Sequence, residues 1–173
     1  MKGKKKVNRF DDQRAWFCER VNENSKGLYW LAKSILHNDE DVKDAVQDSV
    51  LTAYEKLDTL RDEHSFKPWI MRILANTAYS MIRRSKPNTD IDSLAEELPA
   101  PQEEDREESM ALWQAVRGLG ESLRTVTVLF YYDDMPIKDI SRALGITEGT
   151  VKARLSRARA KLRIAMSEQE ETL

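Results

Sequence analysis

The sequence is poor in the residues that several common architectures require. One cysteine, Cys18, stands in 173 residues, so no internal disulfide forms and a reducing, cytoplasmic setting is expected. Six glycines and five prolines are too few for the tight turns of an all-β protein, which favours helices. No apolar run approaches the roughly 18 residues that span a bilayer. The basic start MKGKKKVNRF is not followed by the apolar stretch of a secretory signal, so no membrane insertion or export is expected. The two histidines, His37 and His64, lack Cys or His partners at metal-ligand spacing and are expected at the surface. The acidic run from Asp39 lacks the glycine and terminal glutamate of a calcium loop. With no nucleophile–base pair either, neither an enzyme, a metal site nor another cofactor is expected. Charge of one sign is also missing: the net is −2, which by itself argues against a nucleic-acid partner.

What the total conceals is segregation. Residues 1–9 carry a net +5, residues 10–84 a net −2, residues 85–108 a net −7 and residues 109–173 a net +2. Within 149–167, Lys152, Arg154, Arg157, Arg159, Lys161 and Arg163 stand with no acid among them. The stretch 85–108 holds three of the five prolines and is too charged to bury enough apolar surface to offset its ordering entropy. It reads as an extended tether. The expected organisation is all-α: a basic disordered tail (1–9), a small helical domain (10–86), an acidic linker (87–108), a second small helical domain (109–168) and a short tail (169–173).

In the first domain, apolar residues recur at helical spacing over 25–37 (Leu28, Leu31, Ala32, Ile35), 39–57 (Val42, Ala45, Val46, Val50, Ala53, Tyr54, Leu57) and 66–84 (Phe66, Trp69, Ile70, Ile73, Leu74, Ala78, Met81, Ile82). Asn38 and Ser65 are candidate N-caps, and Asp39, Glu40 and Asp41 complement the macrodipole. A further helix over about 11–22 is expected to bury Trp16 and Phe17. On the polar side of 39–57, Asp44, Gln47, Asp48, Leu51 and Glu55 align; a solvated face accounts for the carboxylates, but Leu51 between them suits a partner surface. On the third segment Arg72, Asn76, Tyr79, Ser80 and Arg83 share a side, with Arg84 beside them. Cations beside an amide and a ring suit unstacked single-stranded nucleic acid, although an ordinary polar face has the same pattern.

The second domain is more specific. Met110, Trp113 and Val116 open a helix that ends near Gly118–Gly120, and Leu123, Val126 and Phe130 mark another. Ile137, Ile140 and Leu144 then form a short stripe, Gly145 suits a left-handed helix stop, and Thr147 caps the next helix with Ile146 as its staple on Val151. Two short helices joined by a glycine turn form a helix-turn-helix whose second helix reads DNA. Its outward stripe is Thr150, Arg154, Arg157 and Lys161, flanked by Lys152 and Arg159. Small residues at its start (Thr147, Gly149, Ala153) allow close approach to a major groove, where arginine pairs with guanine and lysine neutralises phosphate. A membrane-surface or calmodulin-type helix needs larger apolar anchors and leaves the preceding helix and turn unexplained.

At this point the residues resemble a known family, the extracytoplasmic-function (ECF) sigma factors of bacterial RNA polymerase. DVKDAVQDSVLTAYEKLD is similar to the family's domain-2 motif, FKPWIMRILANTAYSMIRR to its promoter-melting segment, and 122–163 to its domain 4. The resemblance implies a dissociable promoter-specificity subunit that directs core polymerase to a stress- or signal-responsive set of promoters. It assigns Lys43, Asp44, Gln47, Asp48, Leu51 and Glu55 to the surface that grips the β′ clamp helices, the β subunit being a further contact. It matches Asn76 to a residue that captures a flipped −10 base, with Arg72, Tyr79, Ser80, Arg83 and Arg84 around it. It matches 137–156 to the −35 reader, through Thr147, Glu148, Gly149, Thr150, Lys152, Ala153 and Arg154, with Arg157 and Lys161 continuing the stripe. It also implies an anti-sigma factor as partner, which can hold the protein at the membrane. The residues alone leave two other readings open: a stand-alone helix-turn-helix regulator, and an adaptor that binds polymerase without DNA.

Overall fold

A computed structural model describes the backbone of residues 4–85 and 106–170, and side chains over 12–85 and 111–167. Most of the expected linker and the extreme ends therefore lie outside the described residues. Among those described, every regular element is helical. The expectation of a disordered basic tail over 1–9 is corrected in part. Helix α1 runs unbroken from Lys4 to Ile35, joining the two segments that periodicity separated at 22–25. No proline interrupts that stretch, and a single glycine, Gly27, is tolerated inside a long helix at a cost of roughly 1 kcal/mol.

Helix α2 spans Asp39–Glu55. Asn38 caps it as expected, its side-chain oxygen accepting the Glu40 N–H at 2.7 Å, and three acids fill the first turn. Helix α3 spans Phe66–Ser85 after short 3₁₀ turns at Leu57–Thr59 and Glu63–Ser65. Pro68 sits in its first turn, where no intrahelical N–H is needed. The three helices enclose Phe17, Leu28, Leu31, Ile35, Val42, Ala45, Ile70 and Leu74. Tyr54 departs from its expected place in that core: its ring meets Phe17 at 5.3 Å but remains half exposed.

The second half contains α4 (Arg106–Arg117), α5 (Glu121–Thr127) continued by a π turn to Tyr132, α6 (Ile137–Leu144) and α7 (Glu148–Glu170). Gly145 takes φ +66°, the left-handed stop expected at the end of α6. Thr147 Oγ1 then accepts the Thr150 N–H at 3.1 Å, capping α7. These local signals place α6 and α7 in helix-turn-helix geometry.

The two halves do not stand apart. Val126, Leu129, Met135, Ile140, Ala143, Val151 and Leu155 belong to the same apolar cluster as the core of α1–α3. A second cluster crosses the junction, with the Trp30 ring 4.8 Å from Trp113 and 5.7 Å from Tyr132. Polar groups lock the seam: Arg124 Nε donates to Ser34 O at 2.9 Å, and its Nη1 donates to the Arg117 and Leu119 carbonyls.

Candidate polymerase and nucleic-acid interfaces

The polar face of α2 is free of the core it backs. Val42, Ala45, Ser49 and Ala53 point inward, so Lys43, Asp44, Gln47, Asp48, Leu51 and Glu55 are all exposed. Leu51 is 64% exposed, and Tyr54 beside it enlarges the apolar centre of a charged face. A large apolar side chain ringed by carboxylates suits protein contact better than simple solvation. Tyr54 was the residue of this face that periodicity missed; its spacing fits the core stripe, and only the packing shows that the ring stops at the rim.

Helix α3 divides its polar residues between two directions. Asn76, Ser80 and Arg84 join Asp48, Leu51, Thr52 and Glu55 around an open groove of about 480 Å³ between α2 and α3. Two sets that the sequence suggested separately thus share one groove. Arg83 is exposed nearby. Arg72 and Tyr79 turn the other way. Arg72 Nη1 donates to the main-chain oxygen of Arg142 in α6 at 3.4 Å, and its guanidinium lies beside Gly145 in the helix-turn-helix. The Tyr79 ring is half-buried; burial first, and then the Glu121 carboxylate, hold its hydroxyl above the ordinary value. Thr125 and Arg154 also lie near that hydroxyl.

On α7, Val151, Leu155 and Ala158 are buried, which turns Lys152, Arg157, Arg159 and Lys161 outward. Thr147, Glu148, Gly149 and Ala153 are exposed at the leading end, while Thr150 and Arg154 are half-buried. The exposed side presents cations and small residues, the combination that admits a backbone to a groove and neutralises phosphate.

One junction had no signature in the sequence. Lys67 Nζ of α3 donates to the Asp133 main-chain oxygen at 3.0 Å and lies 3.1 Å from its Oδ2. That carboxylate oxygen is buried and makes no well-aligned hydrogen bond, so the pair is an ion pair more than a hydrogen bond. Burial pushes the Asp133 carboxyl above its ordinary value despite Lys67. The partners are 66 residues apart, so no local spacing announces them. His37 is exposed at the surface, but its imidazole is partly enclosed and held below the ordinary value first by that partial desolvation and then by Arg124; His64 is exposed.

The model of sigma-70 region 2 matches residues 20–87, and that of sigma-70 region 4 matches residues 109–162. The ECF RNA polymerase sigma factor SigM of Mycobacterium tuberculosis is 31% identical over 151 residues, covering 84% of this chain and 74% of that protein. The chain belongs to the ECF sigma factors. The RNA polymerase sigma factor SigV of Bacillus subtilis is 28% identical, over 87% of this chain and 90% of its own. Among solved structures, the sigma factor RpoE in complex with the anti-sigma factor NepR from Bartonella quintana aligns with TM-score 0.73 at 24% identity, over 87% of this chain and 96% of that one. At that identity the likeness concerns fold. CnrH in complex with the cytosolic domain of CnrY aligns with TM-score 0.65 at 26% identity, over 90% of each chain. In this sigma factor, α1–α3 carry region 2 and α4–α7 carry region 4. No helix among the described residues is long and apolar enough to cross a membrane.

Proposed function

We propose that this sigma factor is the dissociable promoter-specificity subunit of RNA polymerase, and that three surfaces divide the work. The α2 face, with Lys43, Asp44, Gln47, Asp48, Leu51 and Glu55, docks on the β′ clamp helices of core. The α3 side, with Asn76 foremost and Arg72, Tyr79, Ser80, Arg83 and Arg84 around it, holds unpaired −10 bases. The helix-turn-helix reads −35 duplex through Thr147, Glu148, Gly149, Thr150, Lys152, Ala153, Arg154, Arg157 and Lys161. The units that act are a region 2 domain (10–86) and a region 4 domain (109–168). The chain performs no bond chemistry of its own; phosphodiester synthesis belongs to core. It works in the cytoplasm, and an anti-sigma factor restrains it, as the complexes recorded for RpoE and CnrH suggest.

The observation that carries this reading is the shared groove, where Asp48 and Leu51 on α2 meet Asn76 and Ser80 on α3. A polymerase contact and a single-strand contact then adjoin, so docking delivers bases to their reader. The test is selection of DNA from a random duplex library by core alone, this chain alone and the two together. Enrichment of a two-block sequence by the mixture only is expected. Enrichment by the chain alone would instead indicate a stand-alone regulator.

A further inference from the structure

Two exposed faces of this sigma factor carry the same spacing with opposite charge. On α2, Leu51 is 64% exposed, with Asp44 and Asp48 exposed on the two turns before it. On α7, Ile164 is 58% exposed, with Arg157 and Lys161 exposed on the two turns before it. In both helices the second charge follows the first by four residues, and the apolar side chain follows three further on. Reading DNA gives no reason for Ile164. It stands about 22 Å along the helix from Gly149 at ~1.5 Å per residue, whereas the major groove is about 12 Å wide and is read by the leading turns.

When two helices lie side by side and parallel, like positions meet. That register sets Asp44 against Arg157, Asp48 against Lys161 and Leu51 against Ile164, with Gln47 over the small Ala160. Glu55 alone falls opposite a like charge, Glu168. Both faces stay exposed in the folded chain, so neither covers the other within it. The occupant that fits each face is therefore the other face of a second copy. The net charge of −2 leaves two copies little overall repulsion to overcome.

We propose that the free sigma factor self-associates head to tail, the α2 face of one copy seated on the α7 face of the next. The contact is heterologous, so each added copy leaves one acidic and one basic face available unless a ring closes. It is small and built around charges, which makes it weak and sensitive to salt. The contact itself is argued from charge and spacing. Its consequence rests on the function proposed above: it covers the core-docking face of one copy and part of the −35 reader of its neighbour. Core polymerase and promoter DNA then compete with it, and the assembly keeps unused copies from either.

Sedimentation velocity of the full chain reads the assembly, with reductant present so that the exposed Cys18 forms no cross-link. The average mass should rise with protein concentration at ~0.1 M salt, where charges are felt over about 10 Å, and return to that of one chain at ~1 M, where the range is about 3 Å. Asp48→Arg and Lys161→Glu should each weaken association about tenfold or more, because a like pair replaces an opposite one. A chain carrying both exchanges has an opposite pair again and should associate as the unaltered chain does. Both positions are exposed, and circular dichroism checks that helicity is kept. The salt series on the unaltered chain tests the contact without any variant.

The proposal is overturned if the chain sediments as a single copy at every concentration in low salt, if the assembly persists at high salt, if either single exchange leaves association unchanged, or if the double exchange fails to restore it. A pull-down with core polymerase separates this from the assigned function, since core carries no compensating exchange and should capture neither Asp48→Arg nor the double variant. Self-association as expected, with core capture intact in Asp48→Arg, defeats the docking assignment and spares the contact. A chain that never associates but loses core capture with Asp48→Arg does the reverse.

Discussion

Arg72 and Arg142 are seventy residues apart in sequence, yet the guanidinium of the first donates to the main-chain oxygen of the second at 3.4 Å. One belongs to the α3 side assigned to single-stranded DNA, the other to the helix that precedes the reader. The bond adds a polar tie to the apolar packing between the two halves of this sigma factor, through a residue proposed above to contact DNA.

Half-buried Arg154 and exposed Arg157 of α7 should dominate duplex recognition. Arg154→Ala together with Arg157→Ala is expected to weaken −35 binding by about 10- to 100-fold, since a good base contact contributes roughly 1–3 kcal/mol. The log–log salt slope should fall by roughly one for each phosphate contact removed. Titration of a −35 duplex at several salt concentrations checks this, and binding to core should be unchanged.

The α2 face should behave in the opposite way. Asp48→Arg is expected to abolish capture by core while leaving duplex binding and helicity intact, because Asp48 is exposed and supports no core packing. Leu51→Ala should weaken core binding by about 1–2 kcal/mol, as expected for an apolar anchor at an interface centre. A pull-down with core reads both.

The helix-turn-helix was legible because its signals are local. Gly145 stops α6, Thr147 caps α7, and the apolar residues between them repeat at the helical period. The Asn38 cap of α2 and the periods of α2 and α3 were readable for the same reason. The junction was not. Trp30 was never distinguished from its neighbours, and its partner Trp113 lies 83 residues away. Periodicity tells which side of a helix is buried, but not what buries it. Gly27 shows the limit most clearly: a glycine in mid-helix reads as a local cost, and its use appears only when Asp133 is found seated over it.

Lys33 provides a stability test inside region 2. Its side chain is 3% exposed, and its ammonium pairs with Asp39 in the first turn of α2. Asp39→Ala leaves that charge buried without its partner. The expected loss is about 1–2 kcal/mol, less than for a fully buried pair because Asp39 itself is partly solvated. Urea unfolding at neutral pH measures it.

Asp133 makes a prediction about pH. Burial raises its carboxyl above the ordinary 3.8; Lys67 and Lys26 act against the rise and Asp134 adds to it. The folded chain therefore holds this proton more tightly than the unfolded chain. The associated stability is present at low pH and is lost as pH rises through 3.8 toward the raised folded value, with no further change above it. Asp39 has the opposite sign: the hydrogen bond from Lys33 lowers its carboxyl, so its contribution is lost as pH falls. Asp133→Asn should thus gain stability relative to the unaltered protein as pH rises across the carboxylate range. Unfolding curves from pH 3.5 to 7 test the sign, and a flat or falling difference contradicts it.

The most direct measurement of the central claim is run-off transcription by core polymerase on templates bearing the selected two-block sequence. The account predicts transcripts of one defined start when this sigma factor is added, their loss with Asp48→Arg, and a marked reduction with Arg154→Ala plus Arg157→Ala. No initiation above core alone on any selected template, or initiation that survives Asp48→Arg undiminished, would contradict it.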